Sequence, residues 1–217
     1  MPMIELKKFM SRDDWLKHRR GIGGSDAAAV LGLSPWKSNV QLWEEKTGRR
    51  KPPDISNSPV VKYGTEAEEY LRELFALDFP EYEVGYAENN AVFNDALPFA
   101  HASLDGWLTE RESGRRGILE IKTTNITSGQ LADRWRDQVP QHYYIQLLHY
   151  LLITGWDFAI LKAQMKFGSG EDMRLETRHY RFERSECEED IRILEEAERE
   201  FWHYVEADKE PPLKLNI

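Results

Sequence analysis

Residues 119–123 alternate between apolar and polar side chains, which is the pattern of a strand with one buried face. Glu120 and Lys122 therefore project from one face of this strand, and the apolar residues between and beside them project from the other. The preceding segment 110–116 is charged and contains a glycine, as a hairpin turn should. Pairing with the strand before that turn brings Asp105 towards Glu120.

The hairpin thus gathers two carboxylates and one ammonium at a single point. Like charges that close are costly unless they share a cation. Hard oxygen ligands of this kind suit Mg²⁺, and such a site is equipped for metal-assisted hydrolysis of a phosphodiester. The pattern Asp-x14-Glu-x-Lys is loose, however, and charges that alternate along a strand often mark only its solvated face. The hairpin alone leaves both interpretations open.

Composition places the chain among ordinary globular proteins. It has 217 residues, 41% of them hydrophobic and 31% charged, which suits one domain spanning 1–217. No apolar run approaches the roughly 20 residues that cross a membrane, and the N-terminus lacks the apolar core of a signal peptide. A single cysteine, Cys187, excludes an intrachain disulfide, so we expect a cytoplasmic protein. The net charge of -9 is uneven, since segments 12–20 and 46–51 are basic and 183–210 is acidic.

Periodicity and capping signals predict an α/β order of elements. The predicted helices span 11–20, 23–31, 38–46, 65–77, 140–153 and 185–207. The predicted strands span 82–87, 91–93, 102–108, 117–123, 158–167 and 176–182. The last helix is predicted to begin with a capping box formed by Ser185 and Glu188. This order favours a central mixed sheet flanked by helices.

Several single side chains could belong to a site or to the surface. Glu68 lies beside the apolar stripe of its helix, where a carboxylate either meets a cation or extends to solvent. On the helix after Pro140, Gln146, like His142 and His149, falls opposite the leucine-rich side. Gln146 is therefore either a ligand of bound water or phosphate, or a solvated glutamine. Trp36 and Trp135, in predicted loops, are the better candidates for stacking on bases.

A second kind of site is suggested by the segment R-R-G-I-G-G-S-D, residues 19–26. Glycines such as Gly24 let the backbone approach a ligand closely, and the following helix offers free N–H groups. Ser25 can donate a hydrogen bond, and Arg19 or Arg20 can bind a phosphate with two hydrogen bonds. The alternative is an ordinary helix start with Ser25 or Asp26 as N-cap.

Together these residues make the chain resemble the YqaJ-like viral recombinase family, relatives of the lambda-type phage exonuclease. The resemblance covers about residues 15–155 and leaves the C-terminal helix, about 185–207, outside. Six blocks carry it: R-R-G-I-G-G-S-D-A-A-A-V-L-G-L-S-P-W at 19–36, L-W-E-E-K-T-G at 42–48, G-T-E-A-E at 64–68, S-L-D-G at 103–106, L-E-I-K at 119–122, and Y-Y-I-Q-L-L-H-Y-L-L-I-T-G at 143–155.

The resemblance implies a nuclease core of the PD-(D/E)xK type, with Mg²⁺ as the usual metal and Mn²⁺ as a substitute. Such proteins degrade one strand of linear double-stranded DNA from a 5′-phosphate end in the 5′ to 3′ direction. They leave a 3′ overhang for a single-strand annealing protein, and the lambda-type enzyme is a homotrimer ring. A DNA-end-binding accessory protein without activity and an endonuclease on the same fold are the alternatives. The intact Asp-Glu-Lys set disfavours the first.

The resemblance also implies roles for single residues. Asp105, Glu120 and Glu68 would hold the metal, with the backbone carbonyl of Ile121 as a further ligand. Lys122 would orient or activate the attacking water.

Two further roles come from the same resemblance. Arg19 and Ser25 would bind the terminal 5′-phosphate, and Gln146 would be the glutamine of the late helical motif. Many relatives carry a second glutamine two residues later, where this chain has Leu148. We expect Leu148 to be buried.

Overall fold

A computed structural model describes residues 3–168 and 170–214. Its α-helices are α1 Arg12–His18, α2 Gly24–Val30, α3 Asn39–Lys46, α4 Pro59–Asp78, α5 Gly129–Asp133, α6 Gln141–Thr154 and α7 Glu188–Glu206. Its strands are β1 Ile4–Lys8, β2 Tyr82–Gly85, β3 Asn90–Asn94, β4 His101–Ala102, β5 Gly106–Glu110, β6 Arg116–Ile126, β7 Phe158–Phe167 and β8 Arg174–Glu183.

The strands form two sheets. The larger has the order β2-β5-β6-β7-β8, in which β6 and β7 are parallel and the other pairs are antiparallel. The smaller sheet is antiparallel, with the order β1-β3-β4. Because β6 and β7 are parallel, their connection must cross from one end of the sheet to the other, and α6 makes that crossing. The predicted mixed sheet flanked by helices is thus confirmed.

The alternation of β6 divides the hydrophobic core between the two faces of the larger sheet. Leu119 and Ile121 pack with Phe75 of α4 on one face. Ile118 packs on the other face, in the larger cluster that α2, α6 and α7 complete. Glu120 and Lys122 share the face of Ile118, so their polar side chains lie between the sheet and α6.

The predicted strand 102–108 is wrong, because it is two strands in two different sheets. Its beginning pairs with β3 in the small sheet, and its end, from Gly106, pairs with β6 in the large one. At the crossing, the side-chain amide of Asn90 accepts from Leu104 N–H and donates to Leu104 C=O, at 2.9 and 2.8 Å. These bonds replace a strand partner, and Asp105 lies at the end of the crossing segment.

Helix boundaries also differ from the prediction at two places. Helix α4 begins at Pro59 rather than at 65, since proline suits the first helical turn. Helix α7 begins at Glu188, and Ser185 lies in a preceding 3₁₀ turn, so the predicted capping box is wrong. Strand β1 and helix α5 are not among the predicted elements.

Candidate active site

The β5–β6 hairpin brings Asp105 and Glu120 together as the alternation predicted. Gly106 pairs with Leu119, which places Asp105 beside the middle of β6. There, Asp105 Oδ2 accepts a hydrogen bond from the backbone N–H of Ile121 at 2.9 Å. Ile121 therefore contacts Asp105 through its N–H, and the role of its carbonyl stays a prediction.

Glu120 is buried with only one of its two oxygens hydrogen-bonded. Its side chain lies 1% exposed, and Oε1 accepts from Lys122 Nζ at 2.5 Å and from Gln146 Nε2 at 2.7 Å. Oε2 is buried and has no hydrogen-bond partner among the described residues. An unpaired buried carboxylate oxygen is costly, and a cation would satisfy it.

Three carboxylates, those of Glu68, Asp105 and Glu120, lie near the ammonium of Lys122. Burial raises the pKa of Glu120 to about 8, and the nearby charge of Asp105 adds to the rise. Burial and Asp105 likewise raise the pKa of Glu68 to about 7. Burial would lower the pKa of Lys122, but Glu120 and Asp105 raise it instead, so Lys122 stays charged. We call Glu68, Asp105 and Glu120 the carboxylate cluster.

The carboxylate cluster offers the oxygen ligands that a hard divalent cation prefers. Its members offer only oxygen ligands, and Glu120 Oε2 lacks a partner. In the described part of the chain, no group of three or more His, Cys, Asp or Glu side chains is already spaced to hold a metal ion. Lys122 Nζ contacts Glu120 in that arrangement. The residues present fit a divalent cation in kind, with Glu68, Asp105 and Glu120 as those that would hold it.

One cleft of about 380 Å³ joins the carboxylate cluster to the predicted anion pocket. Arg19 and Ser25 line it together with Lys122 and Gln146. Arg20 is exposed and is not among the described residues that line the cleft. The two predicted sites are therefore two ends of one cleft.

Arg19 is held in the cleft by two side chains that the sequence analysis did not find. Its guanidinium carbon lies 3.9 Å from the ring centre of Trp15, and its Nε donates to His101 Nε2 at 3.2 Å. Burial and the charge of Arg19 lower the pKa of His101 to about 3, so His101 is neutral and can accept. Ser103 Oγ also lines the cleft, buried and without a partner among the described residues. Ser103 belongs to the S-L-D-G block of the family resemblance, but no role was predicted for it.

The glycine-rich segment does begin a helix, α2, but the alternative that Ser25 or Asp26 is its N-cap is wrong. Gly23 is the N-cap, and Asp26 reaches back to its N–H at 3.3 Å. Burial would raise the pKa of Asp26, but Lys46 and Lys37 lower it to about 2 through contacts of 2.7 and 3.1 Å. Asp26 is therefore structural, whereas Ser25 keeps its side chain exposed beside the cleft.

Gly24 has a packing role that differs from the predicted one. A Cβ at this position would lie 2.4 Å from the ring of Tyr150 and 3.0 Å from Gln146 Cγ. The absence of a side chain thus allows α2 to pack closely against α6. The prediction was that it lets a ligand approach the backbone.

Every residue of α6 from Ile145 to Thr154 is buried, so the alternative of a solvated Gln146 is wrong. Gln146 donates to Glu120 and also to Tyr150 Oη at 2.8 Å. His149 is fully buried, with Nδ1 2.7 Å from Glu198 of α7. The helices α2 and α7 cover the face that periodicity assigned to solvent. Leu148 is buried as expected.

Residues 14–157 match the YqaJ-like viral recombinase domain. The chain belongs to this family. Over 202 residues the family member is 32% identical to the protein YqaJ of Bacillus subtilis (strain 168), a match that covers 89% of this chain and 56% of that protein. The chain thus spans about half the length of the curated relative it matches. No helix in the described ranges is both long and apolar enough to span a membrane.

Two solved structures share the fold of this YqaJ-like domain. An alkaline exonuclease, LHK-Exo from Laribacter hongkongensis, superimposes with a TM-score of 0.65 at 16% identity, over 90% of this chain and 93% of that one. LHK-Exo in complex with dAMP gives a TM-score of 0.66 at 17% identity, over 91% and 94%. The YqaJ-like domain therefore has the PD-(D/E)xK fold, as the family resemblance implied.

Proposed function

We propose that this protein is a metal-dependent deoxyribonuclease that degrades one strand of linear duplex DNA from a 5′-phosphorylated end, in the 5′ to 3′ direction. One observation carries the proposal: a single cleft contains the carboxylate cluster, Lys122, Arg19 and Ser25. A site that only bound DNA would not need buried carboxylates with raised pKa values beside a phosphate pocket. The alkaline exonuclease of similar fold, and its complex with dAMP, support the same reaction class.

Each group in the cleft has a task in this reaction. Glu68, Asp105 and Glu120 would hold a divalent cation, which would supply Lewis-acid polarisation of the scissile phosphate and lower the pKa of a bound water. Lys122 stays protonated and offsets negative charge that develops on the phosphate. Gln146 fixes Glu120 through the hydrogen bond to Oε1. Arg19 and Ser25 hold the terminal phosphate, which positions the next phosphodiester at the carboxylate cluster.

Further parts of the proposal rest on the family resemblance. We propose Mg²⁺ as the metal with Mn²⁺ as a substitute, a homotrimer ring as the assembly, and a single-strand annealing protein as the partner that receives the 3′ overhang. The same resemblance favours action in the cytoplasm. Light scattering of the purified protein tests the assembly independently of activity.

The decisive experiment follows each strand of a linear duplex that carries either a 5′-phosphate or a 5′-hydroxyl. With Mg²⁺ we expect loss of the 5′-phosphorylated strand, and none with EDTA or with Lys122→Ala. Arg19→Ala should slow digestion of phosphorylated ends by about 10- to 100-fold, since charge-assisted hydrogen bonds contribute about 1.5–3 kcal/mol. The same variant should scarcely affect hydroxyl ends. Arg20→Ala, next in the chain but outside the cleft lining, is the matched control.

Three outcomes would contradict the proposal. Binding to DNA ends without digestion in Mg²⁺ or Mn²⁺ would indicate an accessory protein. Digestion of closed circular DNA would indicate an endonuclease. Equal losses on phosphate and hydroxyl ends in Arg19→Ala would remove the phosphate-binding role.

A further inference from the structure

A second cavity, of about 440 Å³, opens at the N-terminal end of α6, outside the catalytic cleft. Pro35, Arg134 and His142 are among its lining residues. Trp36 follows Pro35 and is 67% exposed, with its ring edge-on to the ring of His142 at 4.7 Å. Arg134 and His142 line the cavity, and Trp36 lies at its edge against His142; we call the cavity together with Trp36 the Trp36 cavity.

Neighbouring side chains link the Trp36 cavity to the candidate active site, although the two cavities share no lining residue in the described part of the chain. The ring of His142 lies 4.1 Å from that of Tyr143, and the ring of Tyr143 lies 5.3 Å from Lys122 Nζ. His142 is also one helical turn before Gln146 on α6, so the two residues share a face. A chain of nucleotides leaving the catalytic cleft along α6 would reach this cavity first.

The exposed groups of the cavity are unused within the protein. Trp36 keeps most of its indole in solvent, although large apolar surfaces are usually covered. Arg134 is exposed, and its guanidinium has no hydrogen bond or ion pair among the described residues, since Asp133 pairs with Arg136 instead. A flat aromatic surface beside a free guanidinium is complementary to a planar base attached to a phosphate.

We propose that the Trp36 cavity binds one unpaired nucleotide of a DNA strand that runs past the catalytic cleft. The base stacks on the indole of Trp36, and Arg134 contacts the adjacent phosphodiester. This inference deepens the proposed function and rests on it for the identity of the polymer. Base stacking on an aromatic side chain tolerates any sequence, so the cavity would select unpaired DNA without selecting a sequence.

Fluorescence anisotropy of a labelled dT12 oligonucleotide in EDTA tests the cavity without any cleavage. Trp36→Ala should weaken binding by about 5- to 150-fold, because stacking contributes about 1–3 kcal/mol per base. Trp36→Phe keeps a flat ring and should stay within about threefold of the wild type. Tyr70→Ala removes an aromatic side chain of similar exposure, 65%, from the outer face of α4 and is the matched control.

Arg134→Ala tests the phosphate contact separately. It should reduce the slope of log affinity against log salt by about 0.7, the value for one phosphate of single-stranded DNA. Duplexes with either a 5′ or a 3′ overhang identify the strand, because Trp36→Ala should weaken binding to only one of the two.

The outcomes separate this inference from the proposed function. Equal affinities of Trp36→Ala and Tyr70→Ala for dT12 would overturn the cavity assignment, even if the wild type digests DNA. Trp36-dependent binding of dT12 by a protein that digests nothing would support the cavity and refute the nuclease. Thermal unfolding of Trp36→Ala should match the wild type, and a large destabilisation would overturn the premise that the indole is free.

Discussion

Binding of a divalent cation to the carboxylate cluster should release protons, and the number can be worked out from the structure. Metal ligation requires ionised carboxylates, whereas burial and mutual repulsion keep this site partly protonated. At pH 7, a pKa of about 8 for Glu120 leaves it ~90% protonated, and a pKa of about 7 leaves Glu68 ~50% protonated. We therefore expect about 1.4 protons released per chain at pH 7, and about 0.1 at pH 9.

Isothermal titration of Mg²⁺ in buffers of different ionisation enthalpy measures this number directly. The observed heat should depend on the buffer at pH 7 and become nearly independent of it at pH 9. Glu68→Gln should lower the count at pH 7 by about half a proton. Glu69→Gln changes the exposed neighbour on α4 and should leave the count unchanged. Saturable Mg²⁺ binding with buffer-independent heat at pH 7 would refute the assignment of these carboxylates as ligands.

Two further sets of substitutions test how α6 is held. Gly24→Ala places a methyl group 2.4 Å from the Tyr150 ring, so activity on linear DNA should fall at least tenfold, while Gly129→Ala, with no atom nearby, should retain it. Replacing either His149 or Glu198 by Leu should lower the free energy of unfolding by about 3–5 kcal/mol, because its buried partner loses its pair, and the double variant should recover part of this. Burial alone would lower the pKa of His149, but Glu198 raises it above 6.5. The stabilisation is therefore complete below about pH 6.5 and is lost as the pH rises through the raised pKa, which urea unfolding of wild type and double variant between pH 6 and 9 checks. A flat difference across that range would contradict the pairing.

The β5–β6 hairpin was predictable because the residues that determine it are close together in the sequence. A period of two over five residues puts Glu120 and Lys122 on one face, and a short charged turn leaves few ways to pair Asp105 with them. The same logic placed β7 at its observed limits, Phe158–Phe167. Local pattern and final structure agree wherever the nearest neighbours in space are also near in sequence.

The rest depended on contacts between distant segments. Gln146 and His149 lie on the less apolar side of α6, and periodicity alone assigns that side to solvent. They are buried because α7, some 50 residues later, brings Glu198 to His149, and β6 brings Glu120 to Gln146. Trp135 lies in a turn, as predicted, but it is buried in the main core against Tyr143 and Tyr180, so the prediction that it could stack on bases is wrong. The residue pattern within one helix or loop does not predict burial by a segment that is distant in the sequence.

Strand β7 lies outside the segment that matches the family, yet it is an internal strand of the larger sheet. The matched stretch ends at 157, one residue before β7 begins, yet β7 lies between β6 and β8 in the larger sheet. A fragment cut at 157 would expose ten residues of β6 as an open edge, along the same strand that carries Glu120 and Lys122. Open edges of apolar strands pair with other molecules and aggregate. A fragment that keeps the sheet around Glu120 and Lys122 must therefore extend beyond residue 157, where the family match ends.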